Sequence, residues 1–186
     1  ILDLCGGTGA WSKPYADVGY TVINVTLPEY DVRTYLPPET VYGILAAPPC
    51  ECFSRVGARW WHRQDEEGKT KQAIEIFRAC WKLCQTISSV FWALENPPGR
   101  HRHLMPELPR PSWQFQPFYF GDAWHKQTYL WGKFNMPFPT FICKPQETIR
   151  MPSGHLVGRI SRLPGNSNVR SITPPGFARA FYEANK

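Results

Sequence analysis

Two short segments carry residues able to do covalent chemistry. The first, Ala47-Pro48-Pro49-Cys50-Glu51-Cys52-Phe53-Ser54, sets a thiol just past the apolar run Val41-Tyr42-Gly43-Ile44-Leu45. That run reads as a buried strand over 41–47. The two prolines end it, because each ring fixes φ and removes an N–H donor, so Cys50 stands on a stiff turn. The second segment, Glu95-Asn96-Pro97-Pro98-Gly99-Arg100, follows Val90-Phe91-Trp92-Ala93-Leu94 and sets a carboxylate at a similar strand end. A thiolate attacks carbon, and a carboxyl beside it can share a proton with the atom that gains charge. Ligands of open α/β sheets bind at the carboxyl ends of strands. Strand, helix, strand with both polar ends side by side is the geometry of one active site. The other reading of Cys50 is a buried structural cysteine.

The surrounding pattern supplies the elements that must position these groups. Ile1-Leu2-Asp3-Leu4-Cys5 reads as a first strand, followed at once by Gly6-Gly7-Thr8-Gly9 and a helix start in which Pro14 is tolerable only in the first turn. A strand, a glycine turn and a helix N-terminus form a nucleotide-binding opening, since backbone N–H groups can approach a polar ligand closely. The spacing is neither the dinucleotide G-x-G-x-x-G nor a triphosphate loop. Asp3 is unusual in a buried strand, and it can hold the loop or a cationic ligand group. Tyr20 to Thr26 reads as a second strand, whose end carries Thr26, or Asn24, where an acid usually meets ribose hydroxyls. Residues 55–68, with Trp60-Trp61 and three arginines, read as a mobile loop over the site. Lys69 to Ser89 has helical spacing, with Ala73, Phe77, Cys80, Cys84 and Ile87 on a core-facing stripe. Short β-like pieces follow at 114–120 and 128–134, then 135–172 without clear periodicity, then a closing helix from Gly176.

The 186 residues suit one domain with a real core. No apolar run approaches the roughly 20 residues that span a bilayer, so no membrane partner is expected. The chain opens on Ile1 without a Met, so a trimmed N-terminus is expected. The six cysteines lack the spacing of a zinc site or a disulfide framework, and the only histidine cluster is His101-Arg102-His103. The net charge of +6 is uneven: from residue 140 onward seven Lys/Arg stand against two Glu. A basic, aromatic-rich half suits a polyanion such as nucleic acid, although an ordinary solvated surface has the same composition.

Taken together, these pieces resemble the DNA (cytosine-5) methyltransferases, most closely short phage-type members. Asp3-Leu4-Cys5-Gly6-Gly7-Thr8-Gly9 is similar to their cofactor loop, and Asp31-Val32-Arg33 to their adenine-contacting segment. Ala47-Pro48-Pro49-Cys50-x-x-Phe53-Ser54 matches the nucleophile motif, and Glu95-Asn96-Pro97 the Glu-Asn-Val/Pro motif. Lys126-Gln127-Thr128-Tyr129-Leu130-Trp131 looks like the supporting strand, and Thr173-Pro174-Pro175-Gly176-Phe177-Ala178-Arg179-Ala180 like the closing motif. The resemblance implies a Rossmann-like α/β sheet with helices on both faces and a small irregular β-rich C-terminal part. It divides the chain into a catalytic core (1–134), a reduced basic target-recognition segment (135–172) and a returning C-terminal helix (173–186). It implies catalysis by Cys50, Glu95, Asn96 and Pro49, with S-adenosyl-L-methionine at Asp3, Cys5, Gly6, Gly7, Thr8, Gly9, Trp11, Thr26, Asp31, Val32, Pro48 and Thr173. DNA is the implied substrate, met by Ser54, Arg55, Arg59, Arg100, Lys126 and Thr128, in the cytoplasm of a bacterial or phage-infected cell.

Two departures from the family pattern keep alternatives open. Thr26 replaces the ribose-binding acid, which leaves room for 5,10-methylenetetrahydrofolate and hydroxymethyl transfer with the same Cys50 and Glu95. The stretch between Trp131 and Thr173 is too short for a full target-recognition domain. That implies a short target site, a helper subunit or a small nucleotide substrate. An amino-directed methyltransferase would use Asn96-Pro97-Pro98 but wants an aromatic residue where Gly99 stands. A non-catalytic nucleic-acid-binding module on a methylase fold is the remaining alternative.

Overall fold

A computed structural model of the chain describes residues 1–145, 148–150, 152, 154, 156–158 and 171–186. Its centre is a six-stranded mixed sheet in the order β2-β1-β3-β4-β6-β5. The strands are β1 (Leu2–Leu4), β2 (Ile23–Val25), β3 (Gly43–Ala46), β4 (Phe91–Asn96), β5 (Trp113–Phe115) and β6 (Thr128–Lys133). β1, β2, β3 and β4 are parallel. β6 runs antiparallel between β4 and β5. From β1 the chain passes to β2 on one side and then to β3 on the other. The carboxyl ends of β1 and β3 therefore flank a topological switch point, where an open sheet leaves a crevice.

Strand alternation sends side chains to two separate cores. On one face Leu2, Leu4, Ile44, Ala46, Leu94 and Trp131 pack against Ala73, Phe77, Cys80 and Cys84 of α3 (Lys69–Thr86). The helical stripe read from the sequence is buried as expected. On the other face Leu45, Phe91, Ala93 and Leu130 pack against Tyr15 of α1 (Lys13–Asp17) and Phe177, Ala178 and Phe181 of α5 (Pro175–Ala184). Helices thus cover both faces. α5 is held at its end by Asn185, which is buried: its amide nitrogen donates to the Asn135 and Phe181 carbonyls at 2.9 Å each, and its oxygen accepts from the Asn135 N–H at 2.7 Å.

Three stretches differ from the sequence reading. Residues 55–68 are not a loop: Arg55–Trp60 is a 3-10 helix and Trp61–Glu66 is α2. β4 extends past Leu94 and takes in Glu95 and Asn96, whose side chains therefore inherit sheet geometry. Within 135–172, β7 (Thr148–Arg150) and β8 (Leu156–Gly158) pair as an antiparallel hairpin. The short α4 (His101–Leu104) follows the Glu-Asn-Pro turn.

Candidate active site

The site is assembled from four strand ends, those of β1, β2, β3 and β4. Behind β1, Cys5 (φ 56°), Gly7 (φ 55°) and Gly9 (φ 71°) lie in the left-handed region, so the chain curls tightly before α1. Asp3 is fully buried beneath this loop, and Ser12 Oγ donates to its Oδ2 at 2.5 Å while Oδ1 has no partner among the described residues. Burial pushes its carboxyl up to about 6. A side chain at Gly6 would run into that carboxylate, so the loop backbone sits directly on it. Asp3 therefore supports the loop, one of the two roles its sequence position suggested. Trp11, expected at the cofactor, is buried against Phe177 and Phe181 (ring centroids 5.8 and 5.3 Å).

The end of β2 also serves the loop. Thr26 Oγ1 accepts the Gly7 N–H at 2.8 Å and donates to Asn24 Oδ1 at 3.0 Å, and Asn24 Nδ2 donates to the Gly7 carbonyl at 3.0 Å. The position where an acid would bind a diol is occupied by a latch on the glycine turn. Asp31, five residues beyond Thr26, is engaged by Arg33, whose Nε and Nη2 donate to its carboxylate and hold it down at about 2. Val32 is buried, and Thr8 is exposed at the loop tip.

Beyond β3 the Cys50 carbonyl accepts the N–H groups of Phe53 (3.0 Å) and Ser54 (2.9 Å), closing a tight turn. Cys50 is half-buried and is not in a disulfide. This turn is locked to the end of β4 at four points. Asn96 Nδ2 donates to the Pro48 carbonyl at 2.8 Å. Ser54 and Gly99 form an antiparallel bridge, flanked by Arg55 N to Pro98 O (3.2 Å) and Arg100 N to Phe53 O (3.0 Å). Arg100 Nε donates to the Cys52 carbonyl at 2.8 Å. The backbones are so close that a Cβ at Gly99 would overlap the Phe53 carbonyl. The sequence placed Cys50 and Glu95 at neighbouring strand ends, and the structure brings those two turns together as one unit.

Arg100, expected at DNA, is engaged within the protein. Its side chain is only 10% exposed, forks onto Asp65 at 2.7 and 2.8 Å, donates to Thr70 Oγ1 at 3.0 Å and lies over the Trp61 ring. The guanidinium is consumed inside the protein, where it ties α2 and α3 to the Cys52 carbonyl, and is not presented to a phosphate. This is also why 55–68 is helical: the partner that orders it lies 35 residues away in sequence. Ser54 Oγ accepts from the Val56 N–H and caps the 3-10 helix, on which Arg55 and Arg59 are exposed and Arg59 lies 5.1 Å from the Trp60 ring centroid.

Glu95 projects to the α5 face. With Phe115, Lys126, Thr128, Thr173, Pro174 and Phe177 it lines a narrow cleft that has no room for a water. Its Oε2 is buried without a partner among the described residues. The Thr128 hydroxyl donates to the Lys126 carbonyl at 2.9 Å, and Thr173 is buried beside it. The sequence did not single out His101: it is buried, its Nε2 lies 2.8 Å from Asn96 Oδ1, and its ring stacks on Phe53 (centroids 4.7 Å). Only its place in the His101-Arg102-His103 cluster hinted at it. Among the described residues, no group of three His, Cys, Asp or Glu is placed to hold a metal ion. No family model and no curated protein matches this chain.

Proposed function

We propose that this chain transfers a one-carbon unit, a methyl group from S-adenosyl-L-methionine, to carbon 5 of cytosine in DNA, through a transient covalent bond between Cys50 and carbon 6. The observation that carries this reading is the bond from Asn96 Nδ2 to the Pro48 carbonyl, which fixes the turn bearing the thiol to the strand bearing Glu95. The switch-point crevice, the helices on both faces and the reversed β6 support a Rossmann-like methyltransferase sheet.

The division of labour follows from the residues. Cytosine carbon 5 is a poor nucleophile, and addition of the Cys50 sulfur to carbon 6 places electron density on carbon 5. Glu95 would hydrogen-bond ring nitrogen 3, where charge gathers in that step, once the narrow cleft it lines opens to admit the base. Once carbon 5 has been alkylated, a base removes its proton and the Cys50 sulfur leaves. Duplex DNA must turn the base out of the stack, at about a few kcal/mol. Exposed Arg55 and Arg59, next to the Cys50 turn, suit the phosphates around it. The donor's place is the crevice beside Gly6, Gly7 and Gly9, whose backbone curls around the β1 end and whose firmness comes from Asp3, Ser12, Asn24 and Thr26. Bound there, S-adenosyl-L-methionine supplies an electrophilic methyl group. The target reader is the short 135–172 segment or a helper subunit.

One observation favours a second reading. The β2 end spends Thr26 and Asn24 on Gly7, and Asp31 is spent on Arg33, so none of these three is open to a ribose. A folate one-carbon donor, giving hydroxymethylcytosine, needs no such contact. Nucleoside mass spectrometry on DNA treated with the protein, each donor supplied separately and Cys50→Ser alongside, separates the two. Methyldeoxycytidine only with S-adenosyl-L-methionine supports the first. Hydroxymethyldeoxycytidine only with methylenetetrahydrofolate supports the second. Modification that survives Cys50→Ser refutes both.

A further inference from the structure

His101 sits behind the reacting groups with one bond that matters. Asn96 uses its Nδ2 on the Pro48 carbonyl, an acceptor, so its Oδ1 must be the atom facing His101 Nε2 at 2.8 Å. An amide oxygen only accepts, so His101 Nε2 must carry the proton. The ring is 3% exposed and sits among Phe53, Phe77 and Trp131, with centroids at 4.7, 5.6 and 5.7 Å. Burial pushes its pKa down to about 4, so the ring is neutral at ordinary pH and a single tautomer persists.

An asparagine amide can be turned end for end with little change in shape. Turned, it would set its oxygen against the Pro48 carbonyl, two acceptors face to face. The Pro48 C=O and the His101 N–H together select the other orientation. We propose that His101 is a positioning residue: its Nε2–H orients the Asn96 amide, the amide holds the Pro48 carbonyl, and that bond sets where the Cys50 sulfur stands relative to Glu95. The chain of contacts runs from α4 through β4 to the β3 turn, and each link is buried. The role rests on Cys50 being the nucleophile, but the geometry it controls exists without substrate.

The test contrasts two amides. His101→Gln can place an N–H near the Nε2 position, whereas His101→Asn is too short to reach Asn96. Two rates are measured: alkylation of Cys50 by iodoacetamide in the protein alone, followed by peptide mass spectrometry, and adduct formation with 5-fluorocytosine DNA at saturating DNA. The loss of one buried hydrogen bond predicts adduct formation about tenfold slower in His101→Asn, at an unchanged half-saturating DNA concentration. It also predicts a Cys50 alkylation rate changed at least about threefold, and His101→Gln within about twofold of the parent in both. Equal rates for the two variants, or rates that simply follow their melting temperatures, overturn the assignment. If the parent protein forms no DNA adduct, the proposed reaction fails, and the alkylation contrast alone still decides His101. Nitrogen-15 NMR of the parent protein gives a check without any variant: an Nε2–H tautomer at His101 supports the role, and an Nδ1–H tautomer overturns it.

Discussion

Replacing Gly99 by alanine tests the lock between the two turns without touching a reacting group. Gly99 has an ordinary φ, so alanine brings no backbone strain of its own, and the whole cost comes from contact. The new methyl would overlap the Phe53 carbonyl, which is backbone held by the Ser54–Gly99 bridge and cannot rotate away. The turns must part, which breaks Arg55 N to Pro98 O and Arg100 N to Phe53 O. Two backbone hydrogen bonds are worth about 2 kcal/mol. Displacing the fully buried Phe53 ring from its stack on His101 adds about 1–2 kcal/mol, as overpacking does elsewhere. For a chain of this size, a loss of about 3–4 kcal/mol lowers the melting temperature by about 6–16 °C. Thermal unfolding followed by circular dichroism reads this directly. Arg102→Ala, at an exposed neighbour, is the control and should stay within about 0.5 kcal/mol of the parent. A Gly99→Ala protein melting within a degree of the parent would refute the close approach and, with it, the rigid pairing of the turns.

Other outcomes follow from the same geometry. Arg100→Gln should cost about 1.5–3 kcal/mol, because charge-assisted bonds to Asp65 and the Cys52 carbonyl are lost, yet leave the salt dependence of DNA binding unchanged. Arg55→Ala or Arg59→Ala should leave stability alone and reduce the log–log salt slope by about 0.9 for a lost phosphate contact; the reverse pattern would overturn both assignments. Asp3 is raised to about 6 in the fold against 3.8 unfolded, so the folded state holds the extra proton. Its contribution is present below pH 4 and lost as pH rises through 6. The stability of Asp3→Asn relative to the parent should therefore improve across that window by on the order of 3 kcal/mol, read from urea unfolding at each pH. A difference flat with pH would contradict the buried, proton-holding Asp3.

The parts whose cause is local are legible in the chain itself. β1, β3 and α3 follow from short apolar runs and one helical stripe, and the Pro-Pro turns announce where strands stop. Cys50 and Glu95 were legible for the same reason: each directly follows, or ends, such a run. What escaped depends on partners far along the chain. Arg100 reads as a surface cation until Asp65, Thr70 and the Cys52 carbonyl surround it, and the helices at 55–66 lack an apolar stripe because that same arginine helps hold them. Thr26 reads as a missing ribose ligand, and only the Gly7 contact gives it a task. His101 shows no period and no motif; its meaning is a tautomer, set by an amide it meets only in the folded chain.

The most direct test of the central claim is covalent trapping on DNA carrying 5-fluorocytosine, read by denaturing electrophoresis and peptide mass spectrometry. Fluorine at carbon 5 cannot leave as a proton does, so the proposed reaction would stop at the stage where sulfur and base are joined. The expected result is a donor-dependent, denaturation-resistant complex attached at Cys50 and absent from Cys50→Ser. DNA binding of normal strength with no adduct at Cys50, under either donor, would contradict it.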